Sequence, residues 1–247
     1  MKQFTIPAIM LATSATIFLL ACGSGDQKKT AESTVDSSIT KSAETTIETP
    51  EKPAPVHYVI IKHKVSNYAN WKVSYDGHDT ARRAAGLSTY VLSRGVAKDS
   101  NMVMVVLKTG DMLKAKEFAS SSDLVAAMKK AGVIGTPSID YVDVVMDDNS
   151  PIPQKQRLIV THKLKDWKAW KQEFDDHKQA RVDAGLIDRA LLHASGDDTD
   201  VSIVFAVTDM AKAKAFIASK ALKDQMTKAG VEGVPGFFFY DIVQMNP

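Results

Sequence analysis

Apolar and polar residues alternate in two similar stretches of this chain, at residues 59–65 and 158–164. In each stretch, one face of an extended segment is apolar except for a single histidine, His63 or His162. A period of two is typical of a half-buried β-strand. The pattern therefore predicts two matching strands, each with one imidazole on its apolar face.

Each predicted strand is followed by the same series of elements. The series is a helix that ends at a glycine, a hairpin, a second helix that an aspartate can cap, and a last strand. In the first copy the predicted bounds are 70–85, 87–94, 103–107, 111–131 and 138–145. In the second copy the first helix is predicted at 168–184, the hairpin turn at 196–199 and the last strand at 236–243.

The two series are copies of one pattern, at residues 59–145 and 158–243. Equivalent residues are 99 positions apart in the first half of each copy and 98 apart after the hairpin. The identical pairs include His63 and His162, Trp71 and Trp170, His78 and His177, Arg82 and Arg181, and Asp143 and Asp241. Agreement over such a span indicates an internal duplication.

The element order in each copy is βαββαβ, the split βαβ arrangement of a ferredoxin-like domain. Helices cover one face of such a four-stranded sheet, and the other face also needs cover. Two sheets packed through their open faces provide it. We therefore predict an α+β protein in which repeats 56–148 and 154–247 form one intramolecular α/β barrel.

The element order, the repeat length and the segment 131–137 (Ala-Gly-Val-Ile-Gly-Thr-Pro) resemble the dimeric α/β-barrel superfamily, which includes the antibiotic-biosynthesis monooxygenase domains. The resemblance covers residues 56–146 and 155–245. It implies a fold and leaves the activity open, because members include oxygenases, isomerases, haem proteins and proteins without known chemistry. Haem binding is suggested by this resemblance alone.

Residues 1–21 are predicted to be a signal peptide, with Lys2 before an apolar stretch that ends in Leu-Leu-Ala-Cys. This ending resembles the lipobox of bacterial lipoproteins, which implies cleavage before Cys22 and acylation of its thiol. A transmembrane anchor is the alternative, although the stretch is short and interrupted by polar residues. Residues 22–55 have the composition of a disordered tether.

These features predict a lipid-anchored protein of the bacterial cell envelope, with the membrane and a small molecule as partners. Cys22 is the single cysteine of the chain, so no disulfide is expected. The net charge of +2 comes from interspersed residues of both signs, which argues against nucleic acid as a partner. Because one chain supplies both halves of the barrel, we expect a monomer with an internal pseudo-dimer.

A candidate site lies on the first helix of each copy, where helical spacing places an aromatic pair, a histidine and an arginine on one stripe. The stripe contains Trp71, Tyr75, His78 and Arg82, or Trp170, Phe174, His177 and Arg181. In a functional interpretation, the histidine carries a proton and the arginine binds an anion. In a structural interpretation, which we favour, these side chains cover the edge of the sheet.

A second candidate is a cross-strand pair between His63 and Asp143, with His162 and Asp241 as its copy. In a ferredoxin-like sheet the first strand lies beside the last, and a buried imidazole needs a partner. Such a pair could orient a general base. No Gly-x-Ser-x-Gly elbow supplies a nucleophile.

We predict no cofactor and no metal. The chain has no Gly-x-Gly-x-x-Gly or Gly-x-x-x-x-Gly-Lys segment, and its histidines lack the close spacing of metal ligands.

The preferred hypothesis is a binding protein that holds a small, partly apolar molecule in the barrel. The alternative, implied by the resemblance, is a cofactor-independent monooxygenase or isomerase acting on an aromatic or quinone-like substrate, and whether the chain is an enzyme stays open. A structural or protein-binding role is a third hypothesis. Equal retention of the polar set in both copies favours a role in the fold.

Overall fold

The computed structural model describes residues 56–246. The predicted signal peptide, Cys22 and the predicted tether lie outside the described residues. Within them, no helix is long and apolar enough to cross a membrane, since the longest helices have 10 residues.

Both repeats contain four strands and four short α-helices in the same order, and the first repeat adds a one-turn 3-10 helix, Ala97–Asp99. In the first repeat these are β1 His57–Val65, α1 Tyr68–Gly77, α2 Asp79–Ala84, β2 Leu87–Gly95, β3 Met102–Thr109, α3 Met112–Ser120, α4 Ser122–Lys130 and β4 Val133–Asp147. In the second they are β5 Gln156–Leu164, α5 Trp167–Asp176, α6 Lys178–Asp183, β6 Leu186–Ala194, β7 Asp197–Val207, α7 Met210–Ile217, α8 Lys220–Lys228 and β8 Val231–Met245.

The eight strands form one closed barrel in the order β1-β3-β2-β8-β5-β7-β6-β4. Each repeat contributes four neighbouring strands, with its first strand beside its last as predicted. Two seams, β2 with β8 and β4 with β6, join the repeats. The predicted fold, two ferredoxin-like repeats in one α/β barrel, is confirmed.

Each predicted helix is in fact a pair of short helices. Ser121 and Ser219 interrupt the second helix with extended backbone, and each side chain accepts a hydrogen bond from the backbone N–H of the residue three positions later. This is the geometry of an N-cap, which starts a new helix. His78 and His177 stand at the junction within the first helix, where the backbone leaves the helical region.

Two glycines after the first helix adopt the left-handed conformation that their position predicts. Gly86 has φ +71° and Gly185 has φ +72°. A side chain is disfavoured there because its Cβ crowds the following carbonyl group. Both residues therefore end their helices and turn the chain into the next strand.

Apolar side chains form three cores, one inside the barrel and one between the helices and the outer sheet face of each repeat. The interior core contains residues of both repeats, among them Ile60, Met104, Val142, Ile159 and Leu192. These side chains fill most of the barrel and leave a cavity of about 60 Å³. Space for a larger ligand therefore lies outside the strands.

We expect the chain to be a monomer, because the two seams give every strand of the barrel a partner on both sides. Sedimentation equilibrium of the full-length chain in density-matched detergent should give the mass of one chain. A mass of two chains would contradict this expectation.

Candidate functional site

The predicted pairing of His63 with Asp143 is wrong. The register of β1 and β4 places Asp143 opposite His57, and His57 Nδ1 lies 2.5 Å from Asp143 Oδ1. His63 lies at the other end of β1, where a register shift interrupts its pairing with β4. The strand neighbours were predicted correctly, but alternation alone does not specify how far one strand is displaced along the other.

The copy of this pair in the second repeat is also wrong. Asp241 stands opposite Gln156 on one side and Arg94 on the other. His162 lies toward the far end of β5, at another register shift. Neither predicted histidine is therefore oriented by the aspartate assigned to it.

His63 and His162 are instead buried against tryptophans. Their ring centroids lie 5.4 Å from Trp71 and 5.5 Å from Trp170, respectively. Neither nitrogen of either ring has a hydrogen-bond partner among the described residues. Burial lowers the pKa of both histidines from 6.5 to about 4, so each imidazole is neutral at neutral pH.

The two tryptophans of the predicted stripe belong to the first helix of each repeat, α1 and α5, and their side chains pack between that helix and the sheet. Trp71 stacks on Tyr75 with centroids 4.9 Å apart, and Trp170 stacks on Phe174 at 5.0 Å. Both indoles are buried in the outer cores. Their rings separate the helix from the unpartnered histidine of the sheet.

The two arginines of the stripe are held by protein groups. Arg82 and Arg181 each lie 3.7 Å over the aromatic ring of residue 75 or 174. Their Nη1 atoms donate to the backbone carbonyls of the same two residues, at 2.6 and 2.5 Å. Arg181 also makes a bidentate ion pair with Asp188, at 2.8 and 2.7 Å. These contacts favour the structural interpretation of both arginines.

A cavity of about 330 Å³ lies between the helices α5–α8 and the outer face of the second repeat's sheet. We call it the second-repeat cavity. Its walls are mainly aromatic and aliphatic: Leu158, Val160, Trp170, Phe174, Ile203, Phe205, Phe216, Ile217, Leu222 and Phe237. His162, His177, Arg181, Glu173 and Gln225 are its polar or charged residues.

The equivalent space in the first repeat is about 70 Å³, roughly one fifth as large. It is lined by the identical set His63, Trp71, His78 and Arg82. The repeats therefore keep the same predicted site residues around spaces of very different size. Identity of these residues does not by itself produce a cavity.

A polar cluster spans α5 and α8 at the second-repeat cavity. Glu173 accepts hydrogen bonds from Gln225 at 2.7 Å and from Lys228 at 3.1 Å. The pKa of Glu173 is below its ordinary value, chiefly because of the hydrogen bond from the Lys228 ammonium and to a smaller extent because of the one from the Gln225 amide. Its carboxylate is therefore ionised. His177 Nδ1 lies 3.0 Å from the Glu173 carbonyl oxygen and 3.1 Å from Gln225 Nε2.

The first repeat cannot form this cluster, because Ser74 and Ala127 stand where the second has Glu173 and Gln225. Neither Glu173 nor Gln225 is among the predicted site residues, because those residues are identical in both repeats. Differences at equivalent positions were the signal that could have found them.

Within residues 56–246, no group of three or more His, Cys, Asp or Glu side chains is placed to hold a metal ion. The predicted absence of a cofactor stays a prediction.

No protein-family model matches this chain, and no curated protein matches it. Solved structures do share its fold. A chlorite dismutase double mutant from Candidatus Nitrospira defluvii is 10% identical with a TM-score of 0.55, covering 78% of this chain and 93% of that one. The protein named "Putative monooxygenase" from Fusobacterium nucleatum is 12% identical with a TM-score of 0.53, covering 78% and 95%.

An anthrone oxidase-like protein is also 12% identical, with a TM-score of 0.51 and coverage of 78% of this chain and 93% of that one. At these identities the similarity establishes the α/β-barrel fold. The activities in these names belong to those proteins.

We expect acid to destabilise the fold as the pH falls from 6.5 toward 4. In this window the unfolded chain protonates His63 and His162, whereas the folded chain does not, so unfolding takes up protons. Full stability is present above pH 6.5, and each histidine accounts for a loss of up to about 3 kcal/mol. Urea unfolding between pH 7 and pH 4 measures the loss.

The histidine variants provide the control for this pH dependence. His162→Leu should remove about half of the acid-dependent loss, and His63→Leu with His162→Leu should remove most of it. An unchanged pH slope in the double variant would show that other groups cause the effect.

We expect Arg181→Met to destabilise the protein more than Arg82→Met. The first leaves Asp188, whose side chain is 16% exposed, without its cation, at a cost of about 3–5 kcal/mol. The second leaves Asp79, which is 41% exposed, and should cost about 1–3 kcal/mol through lost hydrogen bonds and packing. Equal losses in urea unfolding would argue against the buried ion pair.

Proposed function

We propose that this protein binds a small, largely apolar molecule in the second-repeat cavity, as a lipid-anchored binding protein of the bacterial cell envelope. The observation that carries this proposal is the cavity of about 330 Å³ beneath α5–α8. Small-molecule sites typically measure about 300–1,000 Å³ and combine apolar walls with a few polar groups. The second-repeat cavity has both properties.

His162 provides a polar contact on the sheet side of this cavity. Its imidazole is 7% exposed and neither nitrogen has a partner among the described residues. An unsatisfied buried polar group costs about 1–3 kcal/mol, which a bound hydroxyl or carbonyl group would offset. A neutral imidazole can accept from a hydroxyl or donate to a carbonyl. The favoured ligand is therefore apolar with one such group.

The opposite side of the cavity favours the same ligand class. The Glu173 carboxylate is engaged by Gln225 and Lys228, so this rim is polar and already hydrogen-bonded. Lys228 is paired with Glu173 and Arg181 with Asp188, so these two cations are already neutralised and do not favour an anionic head. A neutral polar group is compatible with both sides.

The proposed anchoring rests on the sequence of residues 1–22. Their basic start, apolar stretch and Leu-Leu-Ala-Cys ending support export and acylation at Cys22. A tether of residues 22–55 would let the barrel work at a distance from the bilayer.

A second candidate is a cofactor-independent monooxygenase or isomerase that acts on an aromatic or quinone-like molecule. The observation in its favour is the position of His162 beside Trp170, in an aromatic cavity where it could take a substrate proton. A pKa of about 4 makes His162 a weak base at neutral pH, whereas efficient general bases have a pKa near the working pH. Binding is therefore the preferred function.

Filling the cavity tests the binding proposal. Ala180 lines the second-repeat cavity, whereas its copy Ala81 is exposed and does not line the first-repeat space. Ala180→Phe should weaken binding of the apolar probe N-phenyl-1-naphthylamine at least about tenfold, because the phenyl ring occupies its space. Fluorescence titration of the full-length chain measures this affinity, above the background of the detergent alone.

Ala81→Phe is the matched control and should bind the probe as the unsubstituted protein does. Equal affinity in Ala180→Phe and Ala81→Phe would place the probe elsewhere and contradict the proposal. Oxygen uptake with anthrone tests the monooxygenase: uptake that His162→Leu abolishes supports the enzyme, and binding without uptake argues against an oxygenase acting on this substrate.

A further inference from the structure

The barrel interior contains a polar cluster that none of the predicted site residues belongs to. We call it the barrel-end cluster. Its members from the first repeat are Tyr58, Tyr90 and Asp147. The hydroxyls of both tyrosines donate to Asp147 Oδ2, at 2.5 and 2.8 Å. From the second repeat it takes Arg157, Arg189 and Tyr240, and all six residues line the interior cavity of about 60 Å³.

The cluster breaks the symmetry of the duplication. Arg157 and Arg189 stand 99 positions after Tyr58 and Tyr90, so two tyrosines in one repeat become two arginines in the other. Every strand is antiparallel to its neighbours, which makes β1 and β5 run in the same direction. Their first residues therefore lie at the same end of the barrel, facing the same small space.

The two arginines differ in whether a carboxylate balances their positive charge. Arg189 donates to Asp148 at 3.0 Å and to the Ser150 carbonyl at 2.6 Å. Arg157 is 5% exposed, and its Nη1 donates to the carbonyls of Gln154 and Gln156 at 2.6 and 3.0 Å. Among the described residues, no carboxylate lies within 4.0 Å of the Arg157 guanidinium. A buried cation without a counter-charge is costly.

Tyr240 adds a hydrogen-bond donor to the same cavity. It is 3% exposed and lines the cavity, and no side chain of the described residues makes a hydrogen bond with its hydroxyl. Burial raises the pKa of Tyr240, so the phenol stays protonated and can donate. The cavity of about 60 Å³ exceeds the 10–15 Å³ that one water needs by this measure, so it can hold a small ion.

We propose that the barrel-end cluster binds a small monovalent anion of the size of chloride, nitrate or formate, between the Arg157 guanidinium and the Tyr240 hydroxyl. Charge-assisted hydrogen bonds from a guanidinium are the strongest contacts available to such an ion. Asp147 opposes it, but two tyrosine hydroxyls already cover that carboxylate. Arg189 is paired with Asp148, whereas Arg157 has no carboxylate partner, so a single negative charge beside Arg157 is what the cluster would take up.

The competing explanation is that the arginines only fasten the chain between the repeats. Arg157 and Arg189 donate to the carbonyls of residues 150 and 154, in the connection from β4 to β5, and of residue 156, the first of β5. This role needs no ion. It also assigns nothing to the Tyr240 hydroxyl, and that residue distinguishes the two explanations.

Thermal unfolding of the full-length chain tests the proposal. The Tm is compared between sodium chloride, sodium nitrate and sodium gluconate at constant ionic strength. The gluconate anion is too large for this cavity and serves as the reference. Saturable binding should raise the Tm by about 5–10 °C at a hundredfold excess over the dissociation constant. No difference between chloride, nitrate and gluconate would overturn the proposal.

Tyr240→Phe should reduce the anion-dependent rise in Tm with little effect in gluconate, because its hydroxyl has no side-chain partner among the described residues. Arg157→Gln should abolish the anion-dependent rise in Tm. If Arg157→Gln does not fold, the rise measured in Tyr240→Phe alone tests the proposal. Tyr141→Phe, on the outer face of β4, is the control and should respond as the unsubstituted protein does. A rise that persists in Tyr240→Phe and Arg157→Gln would assign the ion to another site and overturn the proposal.

Discussion

The burial of both faces of each four-stranded sheet is the constraint on which the rest of the structure depends. Short helices cover the outer face of each sheet, and the inner faces cover one another inside the barrel. The seams β2–β8 and β4–β6 complete this arrangement within one chain. Duplication therefore supplies what a single repeat would obtain only by association with a second chain.

A duplicated chain is free to lose symmetry, and this one has done so at two places. Under the helices, Glu173 and Gln225 replace Ser74 and Ala127, and the space grows from about 70 to about 330 Å³. Inside the barrel, arginines replace two tyrosines. In both places the second repeat has a charged side chain beside a cavity where the equivalent residue of the first repeat is neutral. Identical residues line the spaces under the helices in both repeats, and the differing residues Glu173 and Gln225 add polar groups to the larger one.

The fold was predictable because the element order and the repeat length together specify a ferredoxin-like sheet with an open face. The contacts of the site were not. Asp143 lies opposite His57 and not His63, because alternation along each strand does not specify how far one strand is displaced along the other. Ser121 is the N-cap of α4, although the segment 111–131 that contains it was predicted to be one continuous helix. Glu173 and Gln225 escaped because the distance between two helices cannot be obtained from spacing along the chain.

The central claim is that the two repeats share a site sequence but differ in accessible space. Xenon enters apolar cavities that are large enough to hold it. Crystals of the protein pressurised with xenon should show a clearly stronger anomalous peak between α5–α8 and the sheet of the second repeat than at the equivalent place in the first. Equal peaks in both repeats, or a single peak in the first, would contradict the account.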